Sequence, residues 1–178
     1  MNYFVKMKGT TQSPPRVRWA EILWSWVGAF LGIAPVAYLD SRLLQGTDLV
    51  MVIGSFGASA VLIFGAIKSP LAQPRNLLGG HILSALVGVT CYQLLGEHLW
   101  LAAAIAVATA ILLMHATKTL HPPGGATALI AVIGGEKIWG LGYLYAILPV
   151  GLGSLIMLVV ALLVNNLSKN RRYPEFWL

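Results

Sequence analysis

The chain has 178 residues, of which 57% are hydrophobic and 10% charged, with a mean hydropathy of +0.76 and a net charge of +6. A soluble domain carries about 25% charged residues, so there is too little charge here to coat a water-exposed surface. Long unbroken apolar runs exclude a barrel of short alternating strands, and basic residues confined to tails and short loops encode topology rather than a nucleic-acid footprint.

Residues 1–18 form a basic tail with Lys6, Lys8, Arg16 and Arg18 and no small-residue cleavage site, so it is expected to be retained. Six apolar segments follow. The first covers 22–39 and opens with Trp19, Trp24 and Trp26 near one interface. The second covers 49–67. The third, 77–95, contains the lone Cys91, which reads as a packing residue because one chain offers it no disulfide partner. The fourth covers 99–120, the fifth only 122–134, and the sixth 141–167. As a helix the fifth is too short to cross a bilayer. Residues 169–178 form a second tail, and 19–168 read as a single transmembrane domain.

If all six segments change sides, the tails and the second and fourth loops share one face. That face then holds all of the 12 basic residues except Arg42 and Lys137, which lie opposite with Asp40, Asp48, Glu97 and Glu136. Positive-inside bias therefore predicts six crossings with both termini cytoplasmic.

Two stretches echo each other. "GASAVLI" (57–63) and "GATALIA" (125–131) share a small-small-hydroxyl-alanine pattern, each preceded by a helix breaker, Gly54 in one and Pro122–Pro123 in the other. The chain thus parses into halves of three segments, 19–96 and 97–168. An odd number of crossings inverts one half relative to the other. The expected fold is an all-α polytopic membrane protein of two inverted three-segment repeats, with segments 2 and 5 interrupted or half-helices.

Proline lacks an N–H and suits a first helical turn, so Pro122 is expected to begin a fresh half-helix, while Gly124 and Gly125 permit close approach. A helix that starts inside the membrane exposes amide donors and the positive end of its dipole. Two such starts, the other near Ser55–Gly57, would form an anion site. The predicted site comprises the amides of Phe56, Gly57, Ala58, Gly124, Gly125 and Ala126, the hydroxyls of Ser55, Ser59 and Thr127, and the field of Lys118 and His121.

Carboxylates fall at segment ends, which argues against a cation carrier or an acid-based proton relay. His115, Lys118 and His121 do not have zinc spacing, so no metal or cofactor is expected. Blander roles stand beside these. Lys118 is equally readable as a snorkelling interfacial charge, His81 as a packing or capping residue, and the hydroxyls as bonded to their own helices. Gly28, Gly32, Gly80, Ser84 and Gly88 read as helix-packing positions.

The stretches "KTLHPPGGATAL" (118–129), "GSFGASAVLIFGA" (54–66) and "SPLAQPRNLLGGHILSALVG" (69–88) resemble the HPP family of integral membrane proteins, named for the tripeptide at His121–Pro122–Pro123. Members of that family from plastids and cyanobacteria are implicated in nitrite transport. The resemblance therefore implies nitrite as the anion, in a bacterial or cyanobacterial cytoplasmic membrane. The family is commonly described with four transmembrane helices, a count that fits six segments if the two broken ones escape hydropathy. The expected function is a transporter or channel for nitrite or a similar small anion, in contact with membrane lipid and not an enzyme, its oligomeric state left open. The alternative is a membrane-embedded accessory or scaffold subunit, with an intramembrane enzyme or haem protein third.

Overall fold

The computed structural model describes residues 3–8, 10–47 and 49–178, and these contain helices and no strand; Asp48 lies outside them. Three apolar stretches are long enough to cross a membrane: Trp19–Arg42, Pro74–Ala116 and Glu136–Leu167. The first is α1 (Trp19–Tyr38) with a wider π turn at its end. The second folds back on itself as α3 (Pro74–Leu95) and α4 (Leu99–Ala116), joined by a single tight turn at Gly96–His98. The third holds α6 (Glu136–Leu141), an irregular passage and α7 (Leu152–Leu167).

Two shorter apolar helices complete the bundle. Helix α2 (Gly54–Ala60) continues as a π turn through Gly65, and α5 spans Pro122–Ile133. At 1.5 Å per residue each covers about 18 Å, well short of a hydrocarbon core of about 30 Å. The second segment thus starts later than its apolar run, because residues 49–53 are non-helical. Asp40 holds that approach, accepting from the amides of Met51 (2.6 Å) and Val52 (3.2 Å). Helix α5 begins at Pro122, where two residues without N–H groups sit in the first turn.

Packing follows residue size. Ala102, Ala106 and Ala110 recur every four residues on α4 and are fully buried against α3 and α5 with Met114, Ala128 and Val132. Such a row of small side chains lets helix backbones approach closely in a membrane, where apolar burial alone does not drive association. A larger core joins α1, α2, α3 and α7 through Phe56, Ile63, Phe64, Leu77 and Met157. Phe64 lies over Gly28 and Gly32, where an added Cβ would come within 2.5 Å of the ring. Trp26, Phe30, Val61, Leu112, Leu163 and Leu167 are exposed, as expected of a surface that meets lipid.

Two sets of contacts define the ends of the bundle. At one end Arg171 donates to Glu21 Oε2 (2.9 Å), Asn165 Oδ1 (3.1 Å) and the Phe64 carbonyl (3.2 Å), tying the segment after α7 to the start of α1 and the end of the α2 segment. Arg75 and Asn76, at the start of α3, donate to the carbonyls of Thr117 and Leu120 beyond α4. Tyr173 donates to the Ala72 carbonyl at 2.7 Å, and burial holds its phenol above the usual tyrosine range, so it stays a donor. Residues 169–178 are therefore in part packed onto the bundle. At the other end Thr90 bonds Tyr143 (3.0 Å), and Lys137 donates to the Thr47 carbonyl (3.4 Å).

Candidate functional site

Helices α2 and α5 lie side by side, and both pack on α3 or its neighbours. Ser55 meets Thr127, while Ser59, one turn further along α2, meets His121 just before α5. Chain order is therefore opposed, and each helix start lies beside the body of the other. The two beginnings overlap instead of facing each other across a gap, and side chains of each bond to those of the other.

His81 of α3 fills the space between them. Ser59 Oγ lies 2.7 Å from His81 Nε2 and 2.9 Å from His121 Nε2. His81 Nδ1 is 2.7 Å from Thr127 Oγ1, which in turn donates to Ser55 Oγ at 2.9 Å. His121 Nδ1 is 2.8 Å from the Leu71 carbonyl and therefore carries a hydrogen, since a carbonyl only accepts. Ser55, Ser59, His81, His121 and Thr127 each have no solvent exposure. Phe56 covers the cluster, its ring edge-on to His81 at 5.6 Å, and Tyr145 donates to the Thr127 carbonyl at 3.1 Å. Gly153 makes room for Phe56, since a Cβ there would meet the ring at 2.4 Å.

Of the residues expected at the site, Ser55, Ser59, His121 and Thr127 are brought together, with Phe56 as their apolar cover. Gly57 and Ala58 are exposed on another face of α2. Gly124 is buried where α5 crosses α3, with the Gly80 carbonyl 2.8 Å from where its Cβ would be. Gly125 and Ala126 line an apolar groove with Val107, Ile111, His115 and Pro122. The amides of Phe56 and Gly124 donate back to Ile53 (3.0 Å) and His121 (2.7 Å), so neither is free. Lys118 is exposed just past α4, with a left-handed φ of 56°.

His81 is the residue sequence reasoning missed. One signal could have found it: counting helical turns from the start of α3 places it on the Leu77, Gly80, Ser84 and Gly88 stripe that packs inward. Among the described residues no group of three or more His, Cys, Asp or Glu side chains could hold a metal. What the cluster offers is hydroxyl and imidazole hydrogen bonding in a fully buried interior.

Residues 14–174 match the family described as HPP, transmembrane region. The chain belongs to that family. A transmembrane protein of Dictyostelium discoideum is 51% identical over 180 residues, covering 99% of this chain and 58% of its own length. A second from the same organism is 46% identical over 182 residues, covering 99% of this chain and 64% of its own length. The chain thus spans about three fifths of the curated relatives it matches. No solved structure matches. The tripeptide His121–Pro122–Pro123 of this HPP chain sits at the junction between the buried cluster and α5.

Proposed function

We propose that this protein is a transporter or channel for a small monovalent anion, with nitrite the leading substrate and no enzymatic activity. The observation that carries the reading is the buried cluster of Ser55, Ser59, Thr127, His81 and His121 between two helices too short to cross a membrane. Polar and ionisable groups are rare in a membrane interior and mark pathways when present. Donor-rich and without a carboxylate, this group suits an anion better than a cation.

The contacts at the two ends support six alternating segments. Glu21, Phe64, Arg75, Thr117 and Arg171 gather at one end, and Thr47, Thr90, Lys137 and Tyr143 at the other. On that reading α1, α3 and α5 run one way and α2, α4 and α7 the other, so the two halves are inverted repeats. Discontinuous helices at corresponding positions of such repeats are where transporters bind their substrates. The charge distribution supports cytoplasmic termini.

A recess opens toward each end. One, of about 480 Å³, is lined by Arg18, Glu21, Asn170 and residues 65–69. The other, of about 640 Å³, is lined by Gly54, Ile130, Glu136 and Lys137. The cluster lies outside both, as in an occluded state that must open to exchange substrate. The test is nitrite uptake by purified protein in liposomes. Ser59→Ala removes the hydroxyl that both imidazoles share, a change of about 1–3 kcal/mol, and is expected to lower uptake by about 5- to 150-fold. Undiminished uptake by that variant would refute this site. Failure to take up nitrite, nitrate, formate or chloride, together with stoichiometric co-purification of another protein, would favour the scaffold reading instead.

A further inference from the structure

Counting hydrogens in the cluster leads to a second conclusion. His121 Nδ1 donates to the Leu71 carbonyl, so in neutral His121 the Nε2 atom accepts, and the Ser59 proton must be what it accepts. Ser59 then has no hydrogen left for its 2.7 Å contact with His81, and the hydrogen in that contact belongs to His81 Nε2. Neutral His81 therefore accepts at Nδ1, from Thr127. Yet the Thr127 hydroxyl is aimed to donate to Ser55 (2.9 Å) and to the Pro123 carbonyl (3.3 Å). A hydroxyl has one proton. Adding a hydrogen at His81 Nδ1 resolves the competition: His81 then donates from both nitrogens, and Thr127 is free to donate to Ser55. The heavy-atom arrangement serves both states, which differ by rotation of one hydroxyl.

The added proton makes His81 an imidazolium. The groups facing the pair are hydroxyls and carbonyls: Ser55 and Ser59 from α2, Thr127 from α5, the Leu71 carbonyl, and beyond them the Tyr145 phenol. The ionisable groups nearby in the chain point elsewhere, with Arg75 on the Thr117 carbonyl and Lys68, His115 and Lys118 exposed. A buried cation without a counter-ion is costly, and so is a buried anion. Bound together they neutralise each other, so each strengthens binding of the other. We propose that the anion crosses together with one proton carried by His81, an inference that rests on the anion-transport reading. The proton joins the Nδ1 lone pair as the anion enters and returns to water as it leaves; no other bond forms or breaks.

The test uses liposomes containing the protein, with nitrite as the probe and empty liposomes in parallel because nitrous acid itself crosses lipid. Protein-dependent uptake is expected to rise when the outside is made more acidic than the lumen. It is expected to ignore potassium–valinomycin potentials of either sign. Uptake that follows the potential and ignores the pH gradient overturns proton coupling while leaving anion transport intact. Absence of any protein-dependent uptake instead removes the transport reading. His81→Gln keeps a hydrogen-bonding side chain that cannot be protonated, and should abolish the response to the pH gradient; a retained response overturns the proposal. On the unaltered protein in weakly buffered detergent, nitrite binding should take up one proton per anion, and binding without proton uptake overturns it independently of any variant.

Discussion

The distance between α3 and α5 sets the cluster, and Gly80 sets that distance. A Cβ at Gly80 would lie 2.6 Å from His121 Cβ and 2.8 Å from the Thr119 carbonyl. Ordinary contacts begin near 3.4 Å, so in Gly80→Ala the strand of chain carrying Thr119 and His121 must retreat by roughly 0.8 Å. Neither obstacle is the free end of a flexible side chain. The retreat disturbs the 2.9 Å contact of His121 with Ser59 and the 2.8 Å bond from Asn76 to Leu120. Overpacking of this kind costs about 1–3 kcal/mol, and a weakened buried hydrogen bond about 1 more. For a domain of this size that corresponds to a melting temperature lower by roughly 5–15 °C. Gly125→Ala is the matched comparison, because its Cβ would meet only Val107 Cγ1, at an ordinary 3.8 Å. There the better helix propensity of alanine should leave stability equal or slightly higher. Thermal melts followed by size exclusion in detergent read the difference, and nitrite uptake reads its consequence. Equal melting temperatures for the two variants would refute the claim that this crossing is tight.

Two further outcomes follow from the ends of the bundle. Arg171→Met removes a buried guanidinium that serves Glu21, Ser25, Phe64 and Asn165, and should cost about 3 kcal/mol in the same melts. Arg171→Lys should recover less than half, since one ammonium cannot reproduce the fork. Lys118→Gly relieves a left-handed backbone and should stabilise by about 1 kcal/mol with nitrite uptake unchanged; a loss of uptake would return Lys118 to the site.

How much of this was legible in the sequence depends on which signal each residue leaves. The two short helices were visible because their boundaries are chemical: proline at positions 122 and 123, and glycine at 54. The hydroxyls at Ser59 and Thr127 were legible through the echo between the two stretches, and Ser55 through its place beside the breaker Gly54. His81 was less so, because helical spacing puts it on the inward stripe with Leu77, Gly80, Ser84 and Gly88 but does not say which helix that stripe faces. The relative offset of α2 and α5 was hidden for a related reason. Breakers say where a helix begins but not how it sits against its neighbour, and here side-by-side overlap pairs Ser55 with Thr127 and Ser59 with His121. Gly57, Ala58, Gly125 and Ala126 were drawn into the predicted site by sequence adjacency, while helix rotation turns them to other faces.

A helix leaves backbone groups without intrahelical partners at both of its ends, and the two kinds of end are treated differently here. The carbonyls ending the α2 segment are occupied by Asn165 on Ile63 at 2.9 Å and Arg171 on Phe64 at 3.2 Å, with the Ser25 hydroxyl also on Phe64 at 2.9 Å. At the end of α5, Trp139 donates to the Val132 carbonyl at 2.9 Å, and the Gly134 amide to Ile130 at 2.8 Å. An indole N–H, an amide and a guanidinium keep their hydrogens at any ordinary pH, so these closures have one protonation state and act as structure. The starts are surrounded instead by hydroxyls and imidazoles, which both give and accept, and whose hydrogens can be redistributed without moving the chain. A helix end that needed only to be satisfied could use the first kind of partner throughout. Placing the imidazoles of His81 and His121 at the two starts, and the guanidinium, amide and indole donors at the two finishes, separates the part of the polar interior that holds the bundle from the part that can change state.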